Sequence, residues 1–195
     1  MNPYLLFILA FIIGVYLLET LADLLNMNHL KEGLPQEFQG IFEPGKYVES
    51  LQYQKEKVYF NLVEKTVFTI ITVAFILISG FKWTDTFARS FGYGQILTGL
   101  LFVASLSILK FLLQLPFSIY DTFVLEAKYG FNKTTPMTFI LDLIKGTLLG
   151  ALLGSAIFSG IVYFFESTGP NAWLYCWSVL TVFQNRWMAI IQCHF

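Results

Sequence analysis

Few side chains in this chain have the type and spacing that chemistry requires. The two histidines, His29 and His194, sit near opposite ends of the sequence. Neither is followed by Glu or has a second His four residues on. The H-E-x-x-H spacing that places two imidazoles on one helix face for zinc, with a Glu to activate water, is therefore missing. Cys176 and Cys193 lie in one apolar stretch, where a small buried hydrophobe is the expected role. No Cys-x-x-Cys, G-x-S-x-G or phosphate-binding loop offers another chemistry. The remaining concentration of polar groups is Leu115–Gly146, LPFSIYDTFVLEAKYGFNKTTPMTFILDLIKG. Tyr120, Asp121 and Glu126 could suggest acid/base work, but nothing in the sequence places a substrate between them. Asp142 and Lys145, three apart, can pair on one helix face.

The elements that must position these groups are helices in lipid. Hydrophobic residues make up 56% of the chain, aromatics 18% and charged residues 13%, well outside soluble usage. Uncharged runs and their flanks predict five spans, near residues 3–22, 64–82, 93–114, 144–165 and 171–191. The expected fold is all-α, a polytopic bundle of five transmembrane helices. The first span lacks the basic leader and cleavage site of a signal peptide. A net charge of −1 says nothing about nucleic acid; the expected partner is membrane lipid, with no nucleic acid. Lys and Arg concentrate in the first and third connections, which predicts a cytoplasmic position for both, with the N-terminus outside and the C-terminus cytoplasmic.

Within the first connection, KYVESLQYQKEKVYFNLVEK carries Tyr47, Leu51, Tyr59, Leu62 and Val63 near helical spacing. That predicts an amphipathic cytoplasmic helix over Lys46–Lys65 running into the second span. Gly146, Gly150 and Gly154 predict close helix packing on the fourth span. Lys110 and Glu19 are charges inside spans. Lys110 can snorkel to the headgroups or face an aqueous interior.

The order Leu-Pro, Tyr120, Phe123, Glu126, then Tyr129-Gly130-Phe131-Asn132-Lys133-Thr134, with Asp142 and Lys145 after it, resembles the corresponding loop of the type I CAAX prenyl proteases. These are integral-membrane zinc metallopeptidases that cut the tail of prenylated proteins. The spacing of Tyr47, Ser50 and Tyr53 resembles the same family. The resemblance implies the N-terminal membrane domain over residues 1–184, building part of an intramembrane chamber without the catalytic centre. It implies zinc and peptide or protein substrates for a complete member, and no cofactor or metal ligand for this chain, which is expected to be inactive alone. A separately encoded or missing catalytic domain is the implied partner. Tyr120, Glu126, Tyr129, Gly130, Phe131, Asn132, Lys133, Asp142 and Lys145 are then the candidate docking or chamber residues. Residues 185–195, NRWMAIIQCHF, diverge from the family, as a truncation, frameshift or split gene would produce. The expected location is a plasma, inner or endoplasmic reticulum membrane. A non-catalytic membrane scaffold and a small transporter component stand as the alternatives.

Overall fold

The computed structural model describes residues 2–28, 44–178 and 180–182. Residues 29–43 of the first connection, both histidines, Cys193 and the 185–195 tail lie outside them. Among the described residues there is no strand. Helix α1 runs Pro3–Asn28, α2 Pro44–Leu77, α3 Gly80–Arg89, α4 Gln95–Tyr120 and α5 Pro136–Thr168. A π-helical segment, Asp121–Glu126, continues α4, and a 3-10 turn, Gly169–Asn171, follows α5. Four stretches are long and apolar enough to cross a membrane: Pro3–Met27, Gly45–Leu77, Gln95–Glu126 and Pro136–Val182. At 1.5 Å per residue the last would extend about 70 Å, more than twice a hydrocarbon core of about 30 Å. It is interrupted at Gly169, whose φ of +69° no regular helix accommodates. Leu148 and Leu152, 66% and 67% exposed, show how these helices present their large apolar side chains outward, which is stable only against lipid.

The helix limits depart from the sequence expectation in several places. The amphipathic stretch and the second span form one 34-residue helix, as expected, but that helix ends at Leu77 rather than near 82. Ser79 takes a left-handed φ of +61° and Gly80 is buried. A Cβ on Gly80 would stand 2.5 Å from the Phe75 ring, so any larger residue there would have to displace that ring. The segment that follows is a separate short helix, α3. The third span passes through Pro116 and continues as helix to Glu126, so most of the expected third loop is helical. Proline removes one backbone hydrogen bond, a loss set against the packing of Phe117 and Tyr120, on the turn that follows, on Phe60 and Phe68 of α2. Helix α5 begins at Pro136 and reaches Thr168, taking up most of the expected fourth connection.

The chain divides into two compact units. The first holds Met1–Phe87 and Ala104–Pro136, with α2 at its centre. Helix α1 packs antiparallel to α2. The Tyr16 hydroxyl shares a 2.9 Å hydrogen bond with Thr66, and Lys65 Nζ lies 2.9 Å from Asp23 and 3.1 Å from Glu19. Glu19, read from sequence as a charge inside the first span, is paired with Lys65. The second unit holds Ala88–Val103 and Met137–Phe195. In it a Cβ on Gly99 would come within 2.9 Å of the Phe158 ring, whereas Gly146, Gly150 and Gly154 have nothing within 4 Å. The expected close packing through those three glycines is absent among the described residues; Gly99 is where α4 and α5 approach.

Candidate functional site

Residues five apart on an α-helix point about 140° away from each other. Winding with i→i+5 hydrogen bonds brings them onto one face. The π-helical segment Asp121–Glu126 does this with its two terminal carboxylates, and both face Lys57 on α2. Lys57 Nζ donates to both oxygens of Asp121 and lies 3.9 Å from Glu126 Oε1. All three side chains are about a quarter to a third exposed, so the cluster is neither dry nor fully solvated.

The ion cluster is one rung in a longer antiparallel zipper. Phe68 and Phe60 flank Phe117, at 5.8 and 6.1 Å between ring centroids, and Phe60 stacks on Tyr120 at 5.3 Å. Lys57 then meets Asp121, and Glu56 accepts a 2.5 Å hydrogen bond from Lys128. Finally Tyr53 meets Tyr129 and Phe131 edge-on, at 5.3 and 4.8 Å. Tyr53, Glu56, Lys57 and Phe60 stand at i, i+3, i+4 and i+7, which is a single helix face. The sequence reading chose a different face of this helix. Of its residues Leu51 is buried, but Tyr59 and Val63 are exposed, and these two line an open groove of about 650 Å³ with Phe60, Phe117, Tyr120 and Leu125. Charge at Glu56 and Lys57 disguised the packed face, and only the i, i+3, i+4, i+7 spacing marked it.

The signature segment closes the helix. Gly130 has φ +71°, its N–H donates to the Ala127 carbonyl (3.1 Å), and the Phe131 N–H donates to Glu126 (3.0 Å). That pair of bonds is the Schellman arrangement, and it requires a residue at ease in the left-handed region. Asn132 Oδ1 accepts from the Thr134 N–H at 2.6 Å, turning the chain toward α5. The hydrogen bond to Glu56 holds the Lys128 ammonium above the usual lysine range. Partial desolvation, then the Glu56 carboxylate, raises the Tyr129 phenol.

Of the candidate residues, the structure brings together Tyr120, Glu126, Tyr129, Gly130, Phe131 and Asn132 on or beside the α2 face. Phe131 remains 55% exposed, and Lys133 points outward. Asp142 and Lys145 belong to the second unit, on α5; both are exposed, and the ion pair that their spacing allows is not formed. Lys110 is likewise exposed. Among the described residues no three His, Cys, Asp or Glu side chains gather as metal ligands. Each carboxylate of the zipper faces an ammonium, which makes it an interlock rather than a reaction centre.

Residues 23–192 match the family model for the CAAX prenyl protease N-terminal region, described as having five membrane helices. This chain belongs to the CAAX prenyl protease family. A CAAX prenyl protease 1 homolog from Arabidopsis thaliana is 33% identical over 96% of this chain and 46% of its own length. Its counterpart from Oryza sativa is 34% identical over 91% of this chain and 44% of that protein. The crystal structure of S. mikatae Ste24p superposes with a TM-score of 0.83 at 27% identity, covering 98% of this chain and 46% of that one. The chain therefore spans a little under half the length of these relatives. Five membrane helices agree with four apolar stretches of which the last is interrupted at Gly169.

Proposed function

We propose that this chain is the N-terminal membrane portion of a CAAX-type zinc metalloendopeptidase that processes prenylated or other membrane-associated proteins. On this reading its helices build part of an intramembrane chamber and substrate entry, and the catalytic centre comes from sequence that the relatives carry beyond the matched region. The described residues do not fit a zinc ion. The family's metal takes two imidazoles and a carboxylate, whereas the clustered carboxylates here, Asp121 and Glu126, already face Lys57. The first and third connections lie in the cytoplasm, with the N-terminus outside.

One observation supports the reading: the α2 face from Tyr53 to Phe60 holds the family segment as a folded cap in which Phe131 stays half exposed and Lys133 exposed. Tyr120, Glu126, Tyr129, Gly130 and Asn132 build the cap. Lys133 and the exposed part of Phe131, whose ring also meets Tyr53 edge-on, are left to meet a catalytic part, and Asp142 and Lys145, exposed on α5 of the second unit, are separate candidates for such contact. Exposed aromatics of this kind act as interface anchors. The test is co-expression with the C-terminal part of a full-length relative. Phe131→Ala is expected to weaken both association and cleavage of a prenylated peptide while the spans stay inserted. Full activity in that variant would reduce the segment to a connector. The chain purified alone in detergent is expected to hold well under one zinc per molecule and to cleave nothing. A tightly held stoichiometric zinc would overturn the assignment of the centre to the region that the relatives carry beyond the match.

A further inference from the structure

We infer that the open groove between α2 and the end of α4 holds a zwitterionic phospholipid with a primary ammonium headgroup. Its acyl chain lies along the aromatic wall and its headgroup sits on the Glu56–Lys128 pair. The groove lies wholly within the first unit. On α2 its lining is Glu56, Tyr59, Phe60 and Val63, one helix face at i, i+3, i+4 and i+7. Running the other way, α4 and its π-helical continuation supply Pro116, Phe117, Tyr120 and Leu125. Glu56 is the one charged side chain of this lining, so charge is confined to one end of the groove. The rise from Glu56 to Val63 is about 10 Å. An interfacial layer is about 5–7 Å deep on each side of the hydrocarbon, so that rise passes from headgroup level into the upper acyl chains.

Two observations name the occupant. At its apolar end the groove opens beside Val63, 58% exposed, and the same edge of α2 continues at heptad spacing as Ile70 and Leu77, 63% and 55% exposed. That stripe enters the uncharged run that begins at Thr66, so the groove is an inlet from the lipid-facing surface of the span. The other end carries both signs of charge. Glu56 accepts from Lys128 at 2.5 Å, and the two side chains stay 41% and 56% exposed. A carboxylate accepts up to about four hydrogen bonds and an ammonium has further donors, so each keeps capacity for a ligand. A headgroup with a phosphate next to an ammonium complements that pair: phosphate oxygens accept from Lys128, and the lipid ammonium donates to Glu56. A choline headgroup has no N–H to donate, and an anionic headgroup lacking an ammonium would bring like charge to Glu56. The occupant is therefore an ethanolamine-type phospholipid, a structural lipid wedged beneath the cap. This inference is independent of any proteolytic role.

The test is native mass spectrometry of the full chain in detergent micelles doped with phosphatidylethanolamine, its N-methylated series, phosphatidylcholine or phosphatidylglycerol of the same acyl chains. The ethanolamine lipid is expected to bind about two- to fivefold more tightly than the choline lipid, the size of an exposed charge pair. Affinity should fall as each N–H is replaced by methyl. Glu56→Gln should remove the preference while residual binding remains. Val63→Trp, at an open position, should fill the groove and weaken every lipid alike, with the lipid-free thermal midpoint showing that the fold persists. Equal binding of the ethanolamine and choline lipids by the unaltered chain, or tighter binding of phosphatidylglycerol, overturns the headgroup assignment whether or not a variant folds. A preference that survives Glu56→Gln overturns it as well. Binding untouched by Val63→Trp would place the lipid elsewhere, and a dimer that Val63→Trp dissociates would make a second copy the occupant. Each of these results refutes the inference.

Discussion

Removing Lys57 is the sharpest perturbation of the cap. Lys57→Met keeps the length and apolar stem of the side chain but leaves Asp121 and Glu126 facing one another without a cation. The gross attraction of an ion pair near 4 Å is about 4 kcal/mol at an effective dielectric near 20. Most of it is offset here, because the three side chains are 27%, 27% and 34% exposed and keep part of their hydration. Exposed pairs net about 0.2–1 kcal/mol, and stripping one partner from a fully buried pair costs about 3–5 kcal/mol. A site between those limits gives about 1.5–2 kcal/mol for Lys57→Met. At about 2–4 °C per kcal/mol for a chain of this size, the midpoint in detergent should fall by about 3–8 °C. Asp121→Asn should cost about half as much, since Lys57 retains Glu126 at 3.9 Å. The double variant should lose less than the sum of the singles, because both act on one cluster. The assay is thermal unfolding of detergent-purified protein followed by intrinsic tryptophan fluorescence. A Lys57→Met midpoint within about 1 °C of wild type, or strict additivity in the double variant, would refute the interlock.

Gly80→Ala should destabilise by about 1–3 kcal/mol through overpacking, since its Cβ would stand 2.5 Å from the Phe75 ring. Phe75→Leu in the same chain should recover much of that loss in the same unfolding assay. Reporters fused after Asp85 and after Asn132 should read external and cytoplasmic respectively; the reverse pattern would overturn the charge argument. Because hydrogen bonding to Glu56 raises the Lys128 pKa above its ordinary 10.5, that contact is fully present below the ordinary value and is lost as pH rises through the higher folded one. The stability difference between wild type and Lys128→Gln should therefore hold from neutral pH to about 10 and narrow only above it.

The helices were legible because each span carries its own evidence: hydrocarbon forces backbone bonds inside the segment, and composition reveals where that applies. Lys46–Lys65 and the second span could be joined for the same reason, since no breaker separates them. The family segment was legible as an ordered set of residues, and Gly130 and Asn132 carried their turn chemistry openly. The limits of the third span were not. Leu-Pro at 115–116 reads locally as a stop, but the helix continues where Phe117 and Tyr120, just after the proline, pack on Phe60 and Phe68 of α2.

Sequence alone determined an all-helical membrane protein, the family of its signature segment, and the lack of a zinc-binding pattern. Tertiary structure decided which face of α2 is packed, and that Lys57 answers two carboxylates more than sixty residues away. An ion pair of that kind leaves no local trace, because nothing in the spacing of either partner depends on the other. The π-helical turn is likewise a tertiary result. Its winding is poor by itself, and it persists here with Asp121 and Glu126 both drawn to one ammonium. The close approach at Gly80 and the one at Gly99 have the same origin: each depends on another residue's side chain, Phe75 or Phe158, that the glycine's own position in the sequence does not name.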